Sequence, residues 1–204
     1  ICHDPYAQAQ SADSSSLGSA YVIKRVNNIS SPDDLIVASY VARPNSQDEY
    51  NKNLFMLADY YNAKIGFEND RGEVIAYARR HRKLHRLQEE FEMLDKKDLR
   101  SKKVKRQYGM HMTEARKRQG EIYIRDWLNT IRSTDEKGNQ TLNMHKIYDL
   151  ALLQELIKFN HSGNFDRGMS LMVGMYHTRE LYNAEIKEIL EDRSTDDWFD
   201  NNYN

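Results

Sequence analysis

The chain has 204 residues, enough for one domain with a small appendage. With 39% hydrophobic residues, 21 aromatics and a single cysteine, it can bury a core, which excludes disorder throughout; it has no run of about 18 apolar residues for a helical membrane span, and it cannot form an intrachain disulfide scaffold. The net charge of −1 conceals an asymmetry: residues 1–70 carry net −4, residues 71–132 net +9, residues 133–179 net zero and residues 180–204 net −6.

Ile1-Cys2-His3-Asp4 reads as the end of a strand, stopped by Pro5, which cannot donate to a ladder. The start is polar within three residues, so no signal peptide is visible, and the beginning at Ile1 reads as a cut from a longer protein. Residues 7–19 form a polar loop. Tyr21–Ile23 and Leu35–Val41 are β-branched and aromatic and predict two strands, joined by the turn Asn27–Asp34 and ended at Pro44. The spacing of Tyr50, Leu54, Leu57 and Tyr61 predicts a helix over 46–61. Ala63–Glu68 predicts a short strand closed by the turn Asn69–Gly72, after which Val74, Tyr77 and Ala78 begin another helix. The basic block 79–106 follows, then Tyr108–Met112 as a short strand or loop. Thr113 starts a helix to about Arg132, Asp135–Asn139 is a polar turn, and Met144–Phe159 has a strong apolar helical stripe. Asp166 opens a last helix through Leu190, and residues 193–204 read as an acidic, frayed end. Strands first, a mixture next and helices last predict an α/β or α+β fold around one central sheet.

Several chemistries have no motif here. No Gly precedes a Lys in a phosphate-cradling loop, no GxSxG or HExxH occurs, and Cys2 has no thiol partner for a cysteine zinc site. What remains is carboxylates at element ends. Asp4 closes the first strand and Glu68 closes the strand over 63–68. On neighbouring parallel strands the two would converge outside the carboxyl ends of the sheet. Gly66 shares a face with Glu68 and leaves room above the sheet. Converging carboxylates repel unless a cation sits between them, and hard oxygen donors favour Mg²⁺ or Mn²⁺. Asp166 and Asp149 compete as a third acid: Asp166 reads as a helix cap or as a residue aimed at the sheet, and Asp149, early inside the apolar helix over 144–159, as a structural hydrogen bond or dipole contact. The +9 block suggests a polyanion contact, with a solvated helix face as the ordinary alternative.

The order of these motifs resembles the nuclease domain of tailed-bacteriophage large terminase subunits. The resemblance rests on Asp4-Pro5-Tyr6, on Ala38–Pro44, on Tyr60–Asn69, on Tyr108–Thr113, on Asn143–Asp149 and on Gly163–Leu171. It implies a ribonuclease-H-like nuclease domain over residues 1–182, built on a central mixed sheet of five or more strands flanked by helices, with residues 183–204 as an acidic helix end and tail. It implies that Asp4, Glu68 and Asp166 are the catalytic, metal-holding acids, which decides for Asp166 over Asp149. Two Mg²⁺ or Mn²⁺ ions would serve cleavage of double-stranded DNA, with little sequence preference, during genome packaging in the host cytoplasm. Arg167 stands where many members carry a second acid. The basic residues Arg79, Arg80, Arg82, Lys102, Lys103, Lys105 and Arg106 would contact DNA phosphates, with His111, His161 and Asn69 as accessory residues. Partners implied by the resemblance are an ATPase motor domain, a portal and a small terminase subunit, with no membrane. The rival expectations are a non-cleaving DNA-binding or packaging module, and a junction resolvase of the same fold.

Overall fold

A computed structural model describes residues 1–5, 16–24, 34–69, 72–89, 108–160, 163 and 165–179. Among these the chain is mixed α/β. The strands β1 (Cys2–Asp4), β2 (Gly18–Lys24), β3 (Leu35–Ala42) and β4 (Gly66–Phe67) form one four-stranded mixed sheet in the order β3-β2-β1-β4. β2 is antiparallel to both β1 and β3, and β1 is parallel to β4. The expectation of five or more strands is therefore corrected to four. The segment expected as a fifth strand contributes only isolated bridges: Met110 pairs parallel with Glu68, and Tyr108 pairs with Glu89. Gly109, at φ +75°, explains why no longer strand forms: a Cβ there would stand 2.8 Å from the Phe67 carbonyl oxygen, and strand geometry requires negative φ.

Helices cover both faces. On one side lie α1 (Gln47–Tyr60) and α2 (Glu73–Arg80), whose Leu54, Phe55, Ala58, Val74 and Tyr77 pack with Ala20, Ile65 and Phe67. On the other lie α3 (Glu114–Leu128), α4 (Leu150–Lys158) and α5, helical over residues 166–179. Their Ile124, Trp127, Leu152, Leu171 and Met172 pack with Cys2 and Tyr21. The period-2 alternation of a strand sends Ala20 to one cluster and Tyr21 to the other. Strands buried on both faces need near-continuous apolar runs, and the first five residues of β2 are all buried. Ser46 caps α1 and Thr113 caps α3, each accepting from the backbone N–H three residues on, which supplies one of the donors a helix start leaves unpaired.

Two expected helices are shorter than the sequence suggests. α3 stops at Leu128, and Ile131–Thr134 (β5) pairs antiparallel with Gln140–Leu142 (β6) in a hairpin. The turn is held by Asp135, whose Oδ1 accepts from the N–H of Lys137 and of Asn139, and by Gly138 at φ +83°. Arg132 anchors the hairpin, donating to Asn143 and to the Asp34 carbonyl. The helix expected over 144–159 divides into a 3₁₀ turn at Asn143–Lys146 and α4, which begins only after Asp149.

β1 also carries a buried histidine. His3 is fully buried and stacks on Tyr50 at 5.3 Å. Its Nδ1 pairs with the Ser19 carbonyl at 2.9 Å, and its Nε2 is buried with no hydrogen-bond partner among the described residues. Desolvation pushes its pKa down to about 4, so the folded protein holds it neutral. The unfolded chain binds a proton at about 6.5, so His3 favours the folded state fully above that pH and loses this contribution as pH falls toward 4. A His3→Phe variant keeps the stacking and removes the proton. Urea unfolding at pH 7, 5.5 and 4.5 is expected to show a shallower fall in stability for the variant, by on the order of 3 kcal/mol at the acid end. Equal slopes for both proteins would refute this role.

Candidate active site

The parallel pairing of β1 with β4 is the first condition for a carboxylate site. The register sets Cys2 beside Gly66 and His3 beside Phe67, so the two strands run the same way, with Asp4 the last residue of β1 and Glu68 the residue after β4. The face follows from their neighbours two residues back. Cys2 packs in the cluster of α5, and the ring of His177 on α5 lies over Gly66. Alternation therefore turns Asp4 and Glu68 toward the α5 side. Both are half-buried, and each is already engaged in a polar or electrostatic contact.

Asp166 begins α5. The Ser170 hydroxyl, one turn later, donates to the Cys2 carbonyl at 3.0 Å, which fixes how α5 lies on β1. Asp166 Oδ2 accepts the Leu17 N–H at 2.7 Å, and Oδ1 accepts from the Ser16 hydroxyl at 3.3 Å. Arg43, at the end of β3, donates to the Ser16 carbonyl at 2.9 Å and braces that turn. Desolvation raises the Asp166 pKa, opposed by the Leu17 and Ser16 hydrogen bonds and the charges of Arg167 and Arg43. Asp166 thus lies against the residues that lead into β2, the strand that pairs with β1. Among the described residues, no group of three or more His, Cys, Asp and Glu stands close enough to hold a metal ion.

The donor set nevertheless suits a hard cation, being carboxylate oxygens from two strand ends and one helix start. A second observation bears on that fit. Ser19, which pairs across from Asp4, is fully buried, and its hydroxyl has no hydrogen-bond partner among the described residues. Such an orphan is rare in a folded protein.

Asp149 has a different task. It caps α4, with Oδ1 accepting from Ala151 and Leu152 N–H at 3.0 and 3.1 Å, and Oδ2 accepts from the Tyr21 hydroxyl at 2.8 Å. Burial and this neighbouring carboxylate both hold the Tyr21 hydroxyl protonated. The accessory residues also separate. Asn69 fastens Tyr108 to β4, donating from Nδ2 to the Tyr108 carbonyl at 2.8 Å, which is a structural role. His111 is exposed, and its carbonyl accepts from Arg116. His161 lies outside the described residues, as do Lys102, Lys103, Lys105 and Arg106.

The described part of the basic block is not gathered at the acids. Arg79 and Arg80 belong to α2, which packs on the α1 side of the sheet. Arg80 pairs with Asp48 at 2.5 Å, while Lys83 and Arg86 converge on Asp59 at 2.6 and 2.9 Å. Arg82 is exposed in the turn after α2, in a left-handed conformation at φ +56°. Residues that the sequence did not single out, namely Ser16, Leu17, Ser19 and Arg43, surround the acids instead. No local signal marks Ser16 or Leu17, which meet Asp166 across 150 and 149 positions.

The space above Gly66 is filled rather than open. A Cβ on Gly66 would stand 1.5 Å from His177 Nε2, so the glycine admits the imidazole. Desolvation lowers the His177 pKa to about 3, and the ring is held neutral. Gly66→Ala is expected to cost about 1–3 kcal/mol by overpacking. Adding His177→Ala to that variant is expected to restore part of the loss in urea unfolding. A Gly66→Ala protein as stable as the parent would refute the close approach. No family model matches this chain, and no curated protein or solved structure matches it.

Proposed function

We propose that this chain is a metal-dependent endonuclease of double-stranded DNA, with a ribonuclease-H-like fold of the kind found in phage terminase large subunits. The observation that carries this reading is the parallel pairing of β1 with β4, two strands that Asp4 ends and Glu68 follows, with α5 beginning at Asp166 and tied to β1 through Ser170. Asp4, Glu68 and Asp166 would hold one or two Mg²⁺ or Mn²⁺ ions. Bound ions of this kind supply an activated water and stabilise the leaving oxygen of an in-line displacement. The chain's own contribution is to oppose the desolvation that raises the pKa of Asp166. Leu17 and Ser16 do this by hydrogen bonding to its anionic form, and Arg43 does it by its charge and by fixing Ser16. Asp149 stays outside the chemistry as a helix cap. Genome packaging in the host cytoplasm, with an ATPase motor, portal and small subunit as partners, belongs to this same reading.

A second reading is a DNA-binding module without cleavage. It is favoured by the engagement of both Asp166 oxygens by Ser16 and Leu17, and by the absence of an assembled three-acid cluster among the described residues. One assay separates the two. Supercoiled plasmid incubated with the protein and Mn²⁺ is expected to be nicked, and EDTA is expected to stop the reaction. Asp4→Ala should lose at least about 100-fold in rate while keeping the parent circular-dichroism spectrum. Asp149→Asn, which preserves a good cap, should retain most activity. Retarded plasmid with no nicking under any divalent ion would select the binding module. Normal cutting by Asp4→Ala would remove Asp4 from the site.

A further inference from the structure

Among the described residues, one edge of the sheet is covered and the other is open. Beyond β4 the chain returns twice, through the bridges of Leu87 to Ile65 and of Met110 to Glu68. β3 is the terminal strand at the opposite edge. Among the described residues, Ile36–Ala42 make no hydrogen bond beyond those to β2 and the contacts of Tyr40 with Tyr50 and Asn53. An open edge presents a row of unpaired N–H and C=O groups, and proteins ordinarily blunt one with charge, proline or a cover. β3 reads Leu-Ile-Val-Ala-Ser-Tyr-Val-Ala, with neither a charge nor a proline in eight residues.

A groove of about 790 Å³ runs beside this edge, lined by Val37, Ser39, Val41, Tyr148, Leu150 and Arg167 among others. Its rim is apolar and exposed: Tyr148 is 86% and Leu150 72% accessible. Two charges lie within it, Arg167 and Asp149, and Asp149 is committed to the Tyr21 hydroxyl and to the N–H groups that open α4. The Arg167 side chain is only 16% exposed, and Nε stands 3.8 Å from Glu155 Oε1, within ion-pair reach but beyond a hydrogen bond. Nε and Nη1 are buried with no hydrogen-bond partner among the described residues. Glu155 is itself taken up by the N–H groups of Arg167 and Gly168. A buried guanidinium with unused donors is costly until a carboxylate meets it.

We propose that this groove is a strand-docking site. An extended segment of another protein pairs with the outer edge of β3 and sets a carboxylate side chain on Arg167. Main-chain pairing supplies the affinity in such docking, and the pocket on alternate side chains supplies the selectivity. The charge argues against a second copy of this chain as occupant by self-pairing of β3, because Leu35–Ala42 brings no carboxylate to Arg167. The proposal does not depend on nuclease activity.

The test titrates the full chain, by isothermal titration calorimetry, with two capped eight-residue peptides of alternating threonine and valine. One carries a central glutamate and the other a glutamine. The glutamate peptide is expected to bind at least about tenfold more tightly, and Arg167→Gln is expected to erase that difference. Because Arg167 also meets Glu155, a second variant guards against misfolding. Leu150→Asp lies on an exposed position at the start of α4, where an acid suits the helix, and it should weaken the glutamate peptide selectively. Equal affinity of both peptides, binding of neither, or a peptide-free dimer with amide protection along Ile36–Val41 would each overturn the proposal.

Discussion

The constraint on which the rest of the molecule depends is that β1, three residues long, is paired on both edges and covered on both faces. A strand so short cannot hold its place by its own ladder. It is fixed by β2 on one side and β4 on the other, by the stack of His3 on Tyr50 beneath, and by α5 above through Ser170 and the close contact of Gly174 with Cys2. Every residue near the carboxylates takes its position from this crossing. Asp4 is the last residue of the strand, Glu68 follows the parallel neighbour, and Asp166 heads the helix that lies across both.

The buried polar groups follow the same logic. Among the described residues His3 and Ser19 each leave a buried atom without a hydrogen-bond partner, while Asn143 and Ser170, also buried, are paired. Tyr21 and Asp149 satisfy each other across 128 positions, joining the middle of the sheet to the start of α4. Buried hydrogen bonds of this kind contribute modestly when made and cost more when one partner is lost. They therefore act as registers for the packing of α4 and α5 on β2 rather than as the main source of stability, which comes from residues such as Leu171 and Met172 at roughly 1.5–3 kcal/mol for each fully buried side chain.

Much of this arrangement was legible in the sequence, and the exceptions have physical causes. Strands β2 and β3 announce themselves by β-branched and aromatic residues, with Pro44 after the second, whereas β1 and β4 are marked by the stop signals that follow them, Pro5 and the run Asn69–Gly72. The α5 start is visible because an apolar run follows Asp166. The hairpin of β5 and β6 was hidden because Ile-Arg-Ser-Thr and Gln-Thr-Leu bury almost nothing and follow a helical pattern without a break; the signal available was the Asp135–Asn139 turn with β-forming residues on both sides. Asp149 was read inside a helix because the apolar spacing continues backward to Met144, although an Asp before Leu150 is a good cap. The basic stretch looked like one surface because sequence shows charge and not its partners. Asp48 and Asp59, which take up Arg80, Lys83 and Arg86, lie 24 to 32 residues earlier on α1. The contacts of Asp166 with Ser16 and Leu17 span too many residues for any local pattern to reveal.

The union of β1 with α5 also governs how the chain can be made. The Ser170 to Cys2 contact joins residues 168 positions apart, and Asp166 meets Leu17 across 149. At a synthesis rate of about 5–20 residues per second, roughly 10–30 s separate the emergence of the first strand from that of the helix that covers it. During that interval β1, β2 and β3 can pair and α1 can close one face, while the other face, with Cys2, Tyr21 and Ile23, stays partly bare until α3, α4 and α5 have all emerged. A nascent chain of this design carries an apolar sheet surface on the ribosome until its last described helix appears, and such a surface is the kind that chaperones recognise.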